Sequence, residues 1–162
     1  TRDLQLITHK PILTVVNVAE DESTRTPSKE NEIIISAKIE SELSELSNED
    51  ASSMLKELGL GESGLDRLIT ASYKLLNLIT FLTSGPEETR AWTIENGTIA
   101  PQAAGVIHTD FEKGFIRAEV ITYENFIKYN GEQGAKEKGA VRLEGKEYIM
   151  QDGDVCHFLH NT

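Results

Sequence analysis

The sequence predicts an α/β segment followed by a separate α+β unit. Three observations lead there: two short β-branched runs that each end in a polar cluster, helical apolar spacing from Ile39 to Asn77, and a change after Leu78 to short strands. The opening residues, with Leu4, Ile7 and His9 ahead of Pro11, read as the last turn or two of a helix stopped before a proline. Ile12, Leu13, Val15 and Val16 then form a nearly continuous apolar run, of the kind buried on both faces of a parallel sheet. It breaks at Asn17-Val18-Ala19-Glu20. Residues 21–31 contain no apolar side chain and read as a surface loop. Ile33, Ile34 and Ile35 make a second buried strand, which ends at Ser36-Ala37-Lys38.

From Ile39 onward the apolar residues recur at spacings of three and four, which predicts two or three helices. Asn48 with Asp50 reads as the cap of the middle one, and Gly59 to Gly64 separates it from the last. One long coiled coil fails, because the glycines break its repeat. The strands expected after Leu78 are LITFLTS, TRAWTIE, FIRAEVIT, VRLEG, EYIM and DVCHFLH, with helical stretches at 101–107 and 122–138.

The 162 residues suffice for one domain or two small ones, and 38% hydrophobic with 27% charged residues is the balance of an ordinary globular chain. The net charge of −11 divides evenly, −6 over residues 1–81 and −5 over the rest. Such a field repels phosphate backbones at long range and argues against binding nucleic acid by bulk charge. A single cysteine, Cys156, excludes an internal disulfide and fits a reducing, cytoplasmic setting. No apolar run approaches the roughly 18 residues that would span a bilayer. The start at Thr1 carries the expectation that sequence precedes it.

Two strands ending in polar clusters have a geometric meaning, since ligands of open α/β sheets bind outside the carboxyl ends of strands. A purine is read by an amide that bridges ring nitrogen, a carboxylate that accepts from ring N–H, and backbone amides aimed at the exocyclic group. Asn17 to Glu20 and Ser36 to Lys38 supply those parts in order. In P-loop NTPases of the GTPase type the corresponding signatures are Asn-Lys-x-Asp and Ser-Ala-Lys, each directly after a strand. Val18 replaces the lysine and Glu20 the aspartate here. Both changes weaken guanine reading, and a mispaired polar group costs about 1–3 kcal/mol, so adenine becomes acceptable. Taken singly, each short segment reads more readily as a simple turn at a strand end. The loop G-x-x-x-x-G-K-[ST], which would hold phosphates and magnesium, does not occur in the sequence.

In the second half, APQAAGVIHTDFEKGFIRAEVI, with RAWTI before it and DGDVCHF at the end, resembles the Obg-like ATPase family of YchF type. The resemblance runs from KPILTVVNVAED to the terminus. It implies that residues 1–79 are the carboxy-terminal part of a P-loop NTPase domain, a remnant of its sheet with trailing helices. Residues 80–162 would be a TGS domain, a β-grasp (ubiquitin-like) fold similar to that in threonyl-tRNA synthetase and SpoT-like enzymes. It also implies a parent that binds ATP, with GTP possible, together with magnesium, and that associates with ribosomes or ribosomal RNA. No membrane or DNA partner is implied. Asn17, Val18 and Glu20 match the family's altered base motif, and Ser36 and Ala37 the loop that closes over the base; Lys38 follows in that loop, at a position where relatives often have another residue. The phosphate loop, switch regions and coiled-coil insertion would lie upstream, so this chain alone is expected to have no catalytic residues, no tight nucleotide binding and no hydrolysis. The loop at 21–31 is shorter than the helical connection usual between these strands.

The alternative is a non-catalytic interaction module for ribosome, RNA or a regulatory protein. Lys113 and Arg117 around Phe115 are its candidate contacts, basic residues interleaved with an aromatic ring, although a solvated strand face is the more ordinary reading of them. Lys128, Lys136, Lys138, Arg142 and Lys146 would extend such a patch, but Glu124, Glu132, Glu137, Glu144 and Glu147 interleave with them. His108, Asp110 and Glu112 read as turn capping and charge pairing. His157 and His160 would face opposite sides of a strand, so no metal site is assigned to them or to Cys156.

Overall fold

A computed structural model describes residues 6–85 and 88–161, in two compact units, Thr1–Leu76 and Asn77–Thr162. In the first unit, β1 (Thr14–Asn17) and β2 (Glu32–Ile35) pair in parallel, joined by residues 18–31 through a 3-10 turn at Glu20–Glu22. A parallel pair needs a crossover of about a dozen residues, and this connection meets that minimum without a full helix. Three helices follow: α1 (Ala37–Ser44), α2 (Asn48–Glu57) and α3 (Gly64–Leu75). Gly59, at φ +72°, closes α2 in the left-handed conformation that glycine adopts freely.

Several expectations for this unit are corrected. The run at Ile12–Val16 is not buried on both faces: Ile12 is 65% exposed and Val15 42%, because β1 pairs only with β2 and no described residue covers its outer side. Leu4 lies outside the described residues, and Ile7–His9 forms a single 3-10 turn. The cap of α2 is Ser47, one residue before Asn48; its Oγ accepts from the Asp50 amide at 3.2 Å and donates to the Asp50 carboxylate at 2.7 Å. Ser63 and Asp66 repeat this reciprocal cap on α3.

The second unit is a five-stranded sheet built from β3 (Leu78–Ser84), β4 (Thr89–Glu95), β5 (Phe115–Thr122), β6 (Arg142–Glu144) and β7 (Asp154–His160). Its order is β4-β3-β7-β5-β6; β3 and β7, the first and last strands along the chain, are parallel neighbours, and the other pairings are antiparallel. Ile79, Phe81, Ala118, Cys156 and Phe158 form a core with three fully buried alanines, Ala100, Ala103 and Ala104, of α4 (Ala100–Ile107). The small side chains let α4 lie close to the strands. A smaller cluster of Ile121, Ala135 and Val155 takes Phe126 of α6 (Tyr123–Lys128) and carries Ala135 of α7 (Glu132–Glu137).

The helical stretch expected at 122–138 is divided into two helices, broken where Asn130 and Gly131 take φ of 58° and 106°. EYIM is not a strand of the sheet. It donates and accepts across to the turn before α4 instead, Met150 N to Thr98 O at 3.0 Å and Ala100 N to Tyr148 O at 2.8 Å, leaving one bridge between Ile99 and Ile149.

Asp154 opens β7 at 2% exposure and carries the unit's buried polar network. Its carboxylate accepts from Tyr148 Oη at 2.8 Å, Gln151 N at 2.9 Å and Arg142 Nη2 at 3.5 Å. Full satisfaction is what makes a buried carboxylate tolerable. Burial first, and then the bond to Asp154, push the Tyr148 phenol up to about 12 from its ordinary 10.0. The native state favours the neutral phenol, so this contribution is complete below pH 10 and is lost as pH rises through about 12. Urea unfolding across that interval is expected to show a loss of stability that Tyr148→Phe lacks; identical pH profiles would contradict it.

Candidate functional site

The in-register pairing of β1 and β2 sets Asn17 opposite Ile35, so the polar segments after both strands leave the sheet at one level. Two bridges then join them. Asn17 Oδ1 accepts from the Ala37 amide at 3.0 Å, and Lys38 Nζ reaches Glu20 Oε2 at 2.7 Å. Val18 continues the ladder one step, its N–H donating to Ile35 O at 2.9 Å. All six residues named from the sequence, Asn17, Val18, Glu20, Ser36, Ala37 and Lys38, therefore lie in one cluster.

Ala37 is the first residue of α1, and the first amides of a helix have no partner within it. Ser36 would normally cap such an end, but it makes no side-chain cap, and its buried Oγ has no hydrogen-bond partner. Asn17 supplies one missing acceptor from the neighbouring strand. Its carbonyl oxygen is thereby used inside the protein. Lys38 also lies 3.9 Å from Glu42, one turn along α1. The hydrogen bond to Glu20 raises the Lys38 pKa, which keeps the ammonium charged.

The direction of α1 is fixed by a residue that sequence reasoning passed over. Glu40 accepts from the Gly64 amide at 2.7 Å and the Leu65 amide at 3.2 Å, so a side chain of α1 satisfies the amino terminus of α3. A carboxylate at that position also opposes the helix dipole favourably. The readable signal is the glycine: a Cβ at Gly64 would stand 2.8 Å from Ile35 Cγ2 and 2.9 Å from Glu40 Oε1. Only glycine lets strand, α1 and α3 meet there.

The second candidate cluster does not assemble as expected. Phe115 is 4% exposed and packs on Phe158 in the core, so its ring is not available to stack on a base. A bulge between Phe115 and Arg117 interrupts the alternation, turning both Ile116 and Arg117 outward while Phe115 and Ala118 face in. Lys113, in the last turn of α5 (Thr109–Lys113), and Arg117 are exposed. His108 caps α5, accepting from the Asp110 amide at 3.3 Å. That short helix has no helical periodicity to announce it. Lys136 and Arg142 are engaged by acidic neighbours, Lys136 by Glu119 at 3.0 Å and Glu132 at 2.6 Å, and Arg142 by Glu144 and Asp154. Cys156 is buried, which raises its thiol pKa, and His160 stacks on Phe111 at 4.0 Å.

Comparison with known proteins bears on both units. The model of the YchF-GTPase_C family, described as a protein of unknown function (DUF933), matches residues 78–161, more than half of the chain. The chain belongs to the YchF family. It is 52% identical to a protein of Bacillus subtilis named ribosome-binding ATPase YchF, over 99% of this chain and 48% of that protein. The protein of the same name in Mycoplasma genitalium is 44% identical over 99% of this chain and 48% of its own length. The solved structure of the Schizosaccharomyces pombe YchF GTPase superposes with a TM-score of 0.82 at 37% identity, covering 97% of this chain and 45% of that one. The chain spans about half the length of the curated YchF relatives it matches.

The packing at Gly64 makes a direct prediction. Gly64→Ala is expected to lower stability by about 1–3 kcal/mol through overpacking against Ile35 and Glu40. Gly61→Ala, where an added Cβ meets nothing within 4 Å, serves as the comparison and should stay within about 0.5 kcal/mol. Urea denaturation followed by circular dichroism checks both; equal effects would contradict the close approach.

Proposed function

We propose that this chain is the base-reading and interaction portion of a ribosome-associated, ATP-preferring NTPase that also accepts GTP. The observation that carries the reading is the double bridge between the two strand ends, Asn17 to Ala37 and Glu20 to Lys38. A turn at a strand end needs no partner twenty residues away. Two bridges bring the amide, the carboxylate and the loop amides together at one edge, the arrangement that recognition of a planar base requires. The relatives' names support both nucleotides, since the bacterial proteins are called ATPases and the yeast structure a GTPase.

For phosphates and magnesium the residues present do not fit. The sequence contains no G-x-x-x-x-G-K-[ST] run, and among the described residues no group of three or more His, Cys, Asp and Glu side chains is placed to hold a metal. Positioning and charge stabilisation of the transferring phosphoryl group therefore have to come from outside this chain. In this reading residues 1–79 are the carboxy-terminal part of the NTPase domain and 80–162 a TGS-like β-grasp domain. The order of the five strands, with the first and last parallel at the centre and a helix packed across one face, supports the β-grasp reading.

The ribosome association named for the bacterial relatives is assigned here to residues 80–162. Lys113 and Arg117, exposed on either side of the bulge, are the proposed phosphate contacts, and Phe115 is withdrawn from that role. The purified chain is expected to pellet with ribosomes through a sucrose cushion, less so with Lys113 and Arg117 both changed to Glu, and to show no magnesium-dependent ATP hydrolysis. Measurable turnover by this chain would overturn the division of labour, and ribosome binding unaffected by the double substitution would overturn the contact assignment.

A further inference from the structure

Resting on the base-reading proposal above, we infer that Lys38 sets the choice of base by holding the Glu20 carboxylate away from the ligand. The two purines differ where a carboxylate would read them. Guanine presents a ring N1–H and an exocyclic N2–H₂, both donors, whereas adenine presents a bare N1 acceptor beside its N6–H₂. A free carboxylate at Glu20 accepts from guanine and sets lone pair against lone pair with adenine. The longer glutamate side chain loosens the reach that an aspartate fixes, and wherever its carboxylate does reach the base it remains an acceptor for guanine.

What changes the outcome is its partner. Lys38 Nζ lies 2.7 Å from Glu20 Oε2, and Lys38 is itself steadied by Glu42 at 3.9 Å on the same helix. The pair occupies one carboxylate oxygen and neutralises its charge. Lys38 can also donate to an acceptor such as adenine N1, which the carboxylate cannot do. Asn17 reads neither difference, since its oxygen is committed to the Ala37 amide. Among the described residues at the two strand ends, the Glu20–Lys38 pair is the element whose breaking reverses the sign of the electrostatic term for one base against the other.

The pair is also exposed, with side-chain accessibilities of 42% for Glu20 and 65% for Lys38. An exposed pair is weak and is screened by salt. Base preference should therefore respond to ionic strength as it responds to removal of the lysine, which an effect of side-chain shape would not do.

The test is a titration of the isotopically labelled full chain with AMP and with GMP, followed by the backbone amide resonances of residues 17–20 and 36–38. The unsubstituted chain is expected to respond to AMP at lower concentration than to GMP. Lys38→Met should move the ratio of the two affinities toward GMP by about five- to tenfold, the low end of discrimination by one polar contact because the site is open to solvent. Lys38→Arg should keep the original ratio. Raising the salt should shift the unsubstituted chain in the same direction as Lys38→Met and leave the Met variant unchanged. If both nucleotides perturb these amides but the ratio is the same in Lys38→Met, the role of Lys38 is overturned while base reading stands. If neither nucleotide perturbs them at any concentration, both fall together.

Discussion

The parallel register of β1 and β2 is the constraint from which the site follows. Thr14 through Asn17 run opposite Glu32 through Ile35, so both strands end at the same level. A slip of one residue would turn the side chains of the shifted strand to the opposite faces and carry Asn17 away from Ala37. The two isoleucines Ile33 and Ile34 point to opposite faces and are 7% and 0% exposed, so burial, about 2 kcal/mol for each side chain, anchors β2 on both sides. Hydrophobic packing thus sets the distance over which the polar bridges form. The bridges themselves are largely exposed and add little to stability, but they define which groups face a ligand.

The same economy governs α1. Its amino terminus is served from another strand by Asn17, and one of its own side chains, Glu40, serves the amino terminus of α3. Orphan amides that each helix cannot satisfy internally are exchanged between elements, and Gly64 is the point of closest approach that permits it. In the second unit a buried carboxylate plays the equivalent part. Asp154 gathers Tyr148, Gln151 and Arg142 at the start of β7, while Asp152 accepts from the Thr80 amide of β3 at 2.8 Å. The segment DGD therefore ties the central strand to its neighbour and to the edge at β6.

Strands with period-two alternation were legible in the sequence: LITFLTS, TRAWTIE, FIRAEVIT and DVCHFLH coincide with β3, β4, β5 and β7. Alternation fails where a local device breaks it, and the bulge at Ile116 is such a device; no residue type there announces it, so Phe115 was placed with Arg117 when it belongs to the core. Composition does not separate Ser47 from Asn48 as the cap of α2, since both are good capping residues, and only the hydrogen bonds to Asp50 distinguish them. EYIM has strand composition but is taken up by the turn before α4. The exposure of Ile12 and Val15 depends on what stands beside β1, which a run of apolar residues does not encode. For the site, residue types and order were readable and the bridges were not. Lys38 pairs with a residue eighteen positions away, a relation that only the register of two strands creates.

The bridge from Asn17 to Ala37 can be measured without a ligand. The Ala37 amide, at the open end of α1 with no cap from Ser36, owes its protection to the Asn17 side chain. In hydrogen exchange of the full chain, Asn17→Ala is expected to speed exchange at Ala37 by about tenfold, the equivalent of one hydrogen bond, while the β2 amides that pair with β1 keep their protection. Unchanged exchange at Ala37, with β2 equally protected, would show that the two strand ends are not joined and would contradict the site described here.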